Sequence, residues 1–226
     1  LGYVFVAAGL MILAYYSVIA GWTIRYAIEA VLHGFSAAAG EHFGDVASGG
    51  DAVAFHIGFM LLTILIVVGG VKGGIERASL ILMPMLFLIV IGLAIWATTL
   101  DGAGEGYAVY LKPDLDELKN PTVWRAAAAQ AFFSLSLGMG AMLTFASYLR
   151  RDQNLPESAT VVAFTDFGVA FVAGLIVFPV IYSLSLQGAV GASTVGALFI
   201  ALPSAFEAMG GAGRVVGLFF FVTLAV

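Results

Sequence analysis

One carboxylate and one run of hydroxyls and glycines have the residue types and spacing to do chemistry. Asp166 has eight uncharged residues before it and 40 after it, which puts it about two turns inside an apolar stretch. An unpaired charge at such depth costs at least ~2.5 kcal/mol. Asp166 therefore either holds a cation or is a protonated, hydrogen-bonded structural residue. The run QAFFSLSLGMGAMLTFASYL, residues 130–149, brings Ser134, Ser136, Gly138 and Gly140 within seven positions. Each glycine weakens a helix by about 1 kcal/mol relative to alanine, and nearby hydroxyls can replace backbone bonds. The run reads either as a helix that breaks or as a face of small residues on which a neighbour packs. A break leaves carbonyls and amides unpaired, and in a bilayer such groups persist only where they line a cavity or bind a ligand. Tyr15 and Tyr16 are a third signal: at mid-helix depth a buried phenol needs a partner, and either a ligand or a backbone carbonyl would serve.

The elements that position these residues follow from composition. Of 226 residues, 62% are apolar and 10% charged, far from the soluble range of roughly half and a quarter. The chain reads as an all-α integral membrane protein. Its net charge is -5 and it has no basic run, which excludes nucleic acid as a partner. It has no cysteine, and His33, His42 and His56 lack metal-ligand spacing. The chain begins and ends inside apolar runs, which predicts a fragment of a longer protein, and no signal peptide is indicated.

A helix of about 20 residues crosses a hydrocarbon core. Apolar runs over 1–24, 52–71, 78–100, 126–149 and a stretch read as a helix over 159–186 meet that length, and a sixth covers 215–226. A re-entrant or surface hairpin is expected around Ala192–Phe206. KGGIER (72–77) and RRDQNLPE (150–157) read as short loops with four basic against three acidic residues. The remaining charged stretches, 25–51, 101–125 and 207–214, hold five against ten. The positive-inside rule puts the first pair in the cytoplasm and the others outside. Pro84 and Pro179 should bend their helices, His56 should be a hydrogen-bonded structural residue, and Arg25 should pair with Glu29 at i,i+4.

The 130–149 run, preceded by PDLDELKNPTVWRAA and followed by RRDQN, resembles the sixth-helix signature of the neurotransmitter:sodium symporter family. AYYSVIAGWTIRY and KGGIER resemble its third helix and fourth loop, and GALFIALPSAFEAMGG its large extracellular hairpin. The resemblance runs in order along the whole chain. It implies a single-domain fragment of an inverted-repeat transporter with a broken sixth helix. Its parts would be the third span at 1–34, an outer loop at 35–51, the fourth span at 52–71 and the fifth at 78–100. An outer loop at 101–121, the broken sixth span at 122–149, the seventh at 159–186, an outer hairpin at 192–211 and the start of the eighth span at 213–226 would follow.

In such proteins an amino acid or amine binds at the midplane with sodium beside it. The resemblance implies that Tyr16 donates to the substrate carboxylate and that Phe133 is the aromatic lid. Ser136 would lie near the substrate amine, and Ile12 and Met139 would line the side-chain pocket. Ser134 and Asp166 would ligate sodium, and Tyr148 would belong to the inner gate. The function implied is sodium-coupled, chloride-independent symport of an apolar amino acid across the plasma membrane by a multi-pass protein, with no catalytic residues and no cofactor besides the coupling ions. A sensor of the same fold is the alternative. An intramembrane enzyme is a further one, although no second acid accompanies Asp166 at depth.

Overall fold

In lipid every backbone polar group must be satisfied within the chain, so long apolar runs become helices. The computed structural model describes residues 2–149, 154–191 and 194–225, and no strand forms among them. Helices α1 (Gly2–Leu32), α2 (Ala39–Ala47) and α3 (Gly49–Val68) lead through a π-helical turn, Val71–Ile75, into α4 (Glu76–Ala97). Then come α5 (Ala103–Leu111), a 3-10 turn at Glu117–Lys119, α6 (Pro121–Ser134), α7 (Ala141–Ser147) and α8 (Leu155–Ser183). Short helices α9 (Gln187–Val190) and α10 (Thr194–Gly196), a π-helical turn at Ala197–Ala201, α11 (Leu202–Ala208) and α12 (Gly211–Leu224) complete the order. Four stretches are long and apolar enough to cross a membrane: Gly2–Leu32, Gly49–Val68, Gly73–Ala97 and Leu155–Ser183. Pro84 and Pro179 both lie inside helices, α4 and α8.

Several boundaries differ from the sequence reading. The stretches read as outer loops contain α2 and α5, short helices without an apolar run long enough to flag them. KGGIER is not a loop. Gly70 alone takes the left-handed conformation (φ 73°) that turns the chain, and helical geometry resumes at Val71. The turn is tight because Gly69 and Gly74 approach each other, so that a side chain on Gly69 would meet the Gly74 Cα at 3.1 Å. In the second expected loop, Arg150, Arg151, Asp152 and Gln153 lie outside the described residues, and LPE already belongs to α8. Pro156 suits a first helical turn, whose amides lack intrahelical partners, and Asn154 Oδ1 accepts from Glu157 N–H at 3.4 Å.

Contacts divide the chain into two units, residues 1–14 with 111–171 and residues 15–110 with 172–226. The second holds an aromatic core. Tyr26, Phe199, Phe206 and Phe221 are fully buried, and Tyr26 donates its hydroxyl proton to the Phe199 carbonyl at 3.0 Å. Phe43 of α2 stacks on Phe199 at 5.5 Å and meets Trp22 edge-on at 5.3 Å. Such pairs contribute about 0.5–1.5 kcal/mol each beyond their buried area. Of the segment read as a re-entrant or surface hairpin, Ala192 and Ser193 lie outside the described residues, and Phe199–Phe206 is the most buried stretch of this unit. Its apolar run is too short to span a bilayer and is spent on filling a core.

The C-terminal end of α1 is tied down by charge. Arg25 Nε bonds Glu29 Oε1 at 2.5 Å, as the spacing predicts, while Arg25 Nη1 reaches Asp51 at 2.9 Å and His42 Nε2 meets Glu29 Oε2 at 2.7 Å. Arg214 of α12 donates to the Ala30 and Val31 carbonyls at 3.1 and 2.7 Å, a cation at the negative end of α1. Where α1 crosses α3, a Cβ on Gly21 would lie 2.8 Å from the His56 backbone nitrogen. Against expectation, His56 Nδ1 is buried there with no hydrogen-bond partner among the described residues. The close crossing sets backbone rather than a side-chain acceptor against this turn.

Candidate functional site

The hydroxyl and glycine run and Asp166 lie in the first unit, around the gap between α6 and α7, and Tyr15 and Tyr16 lie in the second. Helix α6 starts cleanly: Pro121 occupies its first turn and Asn120 Oδ1 accepts from Thr122 N–H at 3.0 Å. It stops at Ser134. The N–H of Ser136 bonds the Phe133 carbonyl at 3.0 Å and that of Leu137 bonds the Phe132 carbonyl at 2.8 Å. This pair of bonds is a Schellman stop. Ser136 itself is left-handed (φ 53°), followed by Gly138 (φ 81°) and Gly140 (φ 77°). Of the two sequence readings, the helix break is therefore the one the chain adopts. Gly140 is required twice over, by its φ and because a Cβ would crowd the Phe5 Cβ at 3.2 Å.

The gap is not lined by a row of open carbonyls, since the Schellman bonds occupy those of Phe132 and Phe133. The carbonyls of Ser134 and Leu135 come next, beyond the reach of the helical ladder. Beside them, Ser134 Oγ donates to Asp166 Oδ1 at 2.6 Å across 32 residues of sequence. Asp166 is half-buried on α8. A carboxylate offers about four acceptor sites, and a hydroxyl that donates one proton keeps its lone pairs. A hard cation could thus bind Ser134 Oγ and Asp166 without breaking the bond between them. No cluster of three or more His, Cys, Asp or Glu suited to a metal exists among the described residues.

Two apolar cavities flank the gap. The larger, about 610 Å³, is lined by Phe5, Ser136, Gly140, Leu143, Leu155 and Val162 among others. The smaller, about 390 Å³, takes Met139 with Phe5, Val6 and Thr144. Ile12 is half-buried on α1 and is part of neither wall. Phe133 and Tyr148 are 43% and 65% exposed, and Tyr148 caps α7 through its N–H to the Phe145 carbonyl. Tyr16 belongs to the second unit. Within this chain Tyr15 and Tyr16 are 58% and 44% exposed, and their rings meet edge-on at 5.7 Å. Mid-run position indicates depth in a bilayer, not cover by protein. Sequence reasoning missed the left-handed role of Ser136 and the contact of Phe5 with Gly140. A serine at a helix stop leaves no compositional trace.

Comparison with known proteins now bears on this site. The chain is 37% identical over 211 residues to the uncharacterized sodium-dependent transporter YhdH of Bacillus subtilis, covering 91% of this chain and 46% of that protein. It is 32% identical over 240 residues to the uncharacterized sodium-dependent transporter MJ1319 of Methanocaldococcus jannaschii, covering 99% and 49%. Sodium-dependent nutrient amino acid transporter 1 of Drosophila ananassae is 35% identical over 170 residues, 72% of this chain and 26% of that protein. The chain spans about half the length of the bacterial and archaeal relatives. A crystal structure of MhsT in complex with L-phenylalanine matches 99% of this chain and 51% of its own, with a TM-score of 0.89 and 41% identity. The profile described as the sodium:neurotransmitter symporter family covers residues 42–226. These are membrane transporters and not enzymes, and the chain belongs to the sodium:neurotransmitter symporter family.

Proposed function

We propose that the protein carrying this chain is a sodium-coupled symporter of apolar L-amino acids in the plasma membrane, working by alternating access and without chloride. The observation that carries the reading is the Ser134–Asp166 hydrogen bond beside the broken helix. It sets a hydroxyl and a carboxylate together where the backbone also supplies oxygens, the donor set a hard monovalent cation needs. The proposed spans are the family's third to seventh and the start of the eighth, with the charged stretches around α2, α5 and the α11–α12 turn facing outward by the positive-inside rule.

Ser134 and Asp166 ligate sodium. Tyr16 donates to the substrate carboxylate, Phe133 lies over the substrate and Ser136 borders its ammonium. Ile12 and Met139 face its side chain, and Tyr148 is part of the inner gate. Coupling follows if the substrate carboxylate completes the sodium shell, because each ligand then binds a site the other has built. The fly relative is named as a nutrient amino acid transporter and the MhsT structure holds L-phenylalanine, which supports the amino-acid class. The test is uptake of labelled L-phenylalanine by the full-length protein in proteoliposomes. Accumulation that follows an imposed sodium gradient is expected, and binding without accumulation would assign the protein as a sensor.

Two predictions arise here. Tyr16→Phe keeps the ring and deletes the donor, so substrate affinity should fall by the roughly 1.5–3 kcal/mol of a hydrogen bond to a charged group, while sodium affinity changes less. Equilibrium binding that shows unchanged substrate affinity would remove Tyr16 from the site. Met139 is long and unbranched, which lets a pocket adapt to side chains of several shapes. A competition panel should therefore rank large aliphatic and aromatic L-amino acids first. Displacement by glycine or charged amino acids alone would contradict the apolar assignment.

A further inference from the structure

Away from the α6–α7 gap, the C-terminal half of α1 and helix α12 wall an apolar groove of about 450 Å³. Ala27, Val31 and Leu32 line it from α1, Leu62 from α3, and Leu218 and Val222 from α12. Val31, Leu62 and Val222 are exposed, so the groove is open along its length. Apolar walls alone would accept any hydrocarbon, and the choice of occupant falls to charge.

One cation heads the groove. Arg214 stands on the same face of α12 as the groove wall, since Leu218, Val222 and Ala225 follow it by 4, 8 and 11 positions. Its side chain folds over the turn after α1, where a Cβ on Gly34 would lie 3.4 Å from Arg214 Cδ. From there Nε and Nη2 donate to the Ala30 and Val31 carbonyls. These bonds use two of the five N–H donors of a guanidinium. Arg214 is exposed, and no ion pair engages it among the described residues. Glu29, the acid one residue before its first acceptor, is already held by Arg25 and His42. The carbonyl end of α1 offsets only about half a unit charge, so net positive charge and three donors remain at the head of the groove.

We propose that this groove binds one anionic phospholipid, with its phosphate on Arg214 and an acyl chain laid along α1, α3 and α12. The depth agrees with the charge. The 11 positions from Arg214 to Ala225 rise about 16 Å in a helix, close to half of a hydrocarbon core ~30 Å thick. A chain that fills the groove therefore crosses one leaflet and brings its headgroup level with Arg214. A planar guanidinium suits phosphate, which it can grip with two parallel bonds. The bound lipid joins α12 to the end of α1, the same two helices that Arg214 ties together. The proposal needs only that the chain lies in a membrane, and none of the sodium or substrate assignments enters it.

The probe is phosphatidylglycerol, with phosphatidylcholine of the same acyl chains as control, titrated onto the full-length protein in mild detergent and read by native mass spectrometry. One phosphatidylglycerol should be held about tenfold more tightly than phosphatidylcholine, a difference of about 1.4 kcal/mol. Arg214→Gln should bring the two lipids to equal affinity, and Arg214→Lys should keep their order. Val222→Trp adds bulk at an exposed position of the groove and should abolish the tight site for both. Equal binding of the two lipids by the native protein, or a preference that survives Arg214→Gln, would overturn the proposal. A tight site that survives Val222→Trp does the same, and this variant decides the matter should Arg214→Gln not fold. A further segment of the longer protein seated in the groove would appear as a native protein with no tight site and a Val222→Trp variant melting well below it. That result would also overturn the lipid assignment.

Discussion

Asp166→Asn should lower sodium affinity by about a hundredfold while leaving the protein folded. The amide has the shape of the carboxylate and its oxygen can still accept from Ser134 Oγ, which now bonds Asp166 Oδ1 at 2.6 Å. What is lost is one negative charge. A unit charge about 5 Å from a bound ion contributes ~3 kcal/mol at an effective dielectric of 20, and each 1.4 kcal/mol is worth about one decade of affinity. The same charge explains why no chloride should be needed: the carboxylate already offsets the cation. Sodium titration of substrate binding, native against mutant, in chloride and in gluconate, checks both statements. Native binding should be the same in the two salts, and chloride should restore part of the mutant's loss where an anion can reach the vacated charge. A mutant with native sodium affinity in both salts would make Asp166 a structural residue bonded to Ser134 and nothing more.

What the sequence made legible follows the distinction between backbone logic and cover. The helix break was readable because Ser134, Ser136, Gly138 and Gly140 are poor helix residues crowded into seven positions, and hydroxyls and glycines act locally. That Asp166 lies against Ser134 was not readable from periodicity, since 32 residues and a turn separate them; only family resemblance implied it. Burial was the weakest signal. In a soluble chain an apolar run means core, but in a membrane protein it means lipid as well. Within this chain Tyr15 and Tyr16, central in their run, stand 58% and 44% exposed, whereas Phe199–Phe206, part of the segment read as a re-entrant or surface hairpin, packs the core. KGGIER looked like a loop because it is charged and glycine-rich, yet one left-handed residue, Gly70, makes the turn. Arg214 gave no sign of its role because its acceptors, the carbonyls of Ala30 and Val31, lie 184 and 183 residues away.

The packing of the buried segment yields the second large effect: Gly213→Ala should destabilise the protein by about 3 kcal/mol, the upper end for overpacking a core. Gly213 lies buried in the first turn of α12, just after Gly210 (φ 63°) reverses the chain from α11. A Cβ there would fall on the Phe206 carbonyl oxygen, 2.6 Å from its carbonyl carbon and 2.9 Å from its Cα. These are backbone atoms and cannot rotate aside. Relief requires the α11–α12 turn to open, which would lift Phe206 from Phe35 and Phe220, its ring neighbours at 5.3 and 5.6 Å. It would also draw the adjacent Arg214 off the end of α1. Two nearby glycines calibrate the effect. At Gly217 the atoms nearest an added methyl would be Phe35 Cε2 and Cζ and Phe206 Cδ2, ring atoms rather than backbone, so a smaller loss of about 1 kcal/mol is expected. At Gly211 nothing lies within 4 Å, and alanine should stabilise the helix by up to about 1 kcal/mol. Thermal melting of the three variants in detergent should order them 211, 217, 213 from most to least stable. A Gly213→Ala protein that melts with the native one would mean that α11 and α12 do not meet as closely as this turn requires.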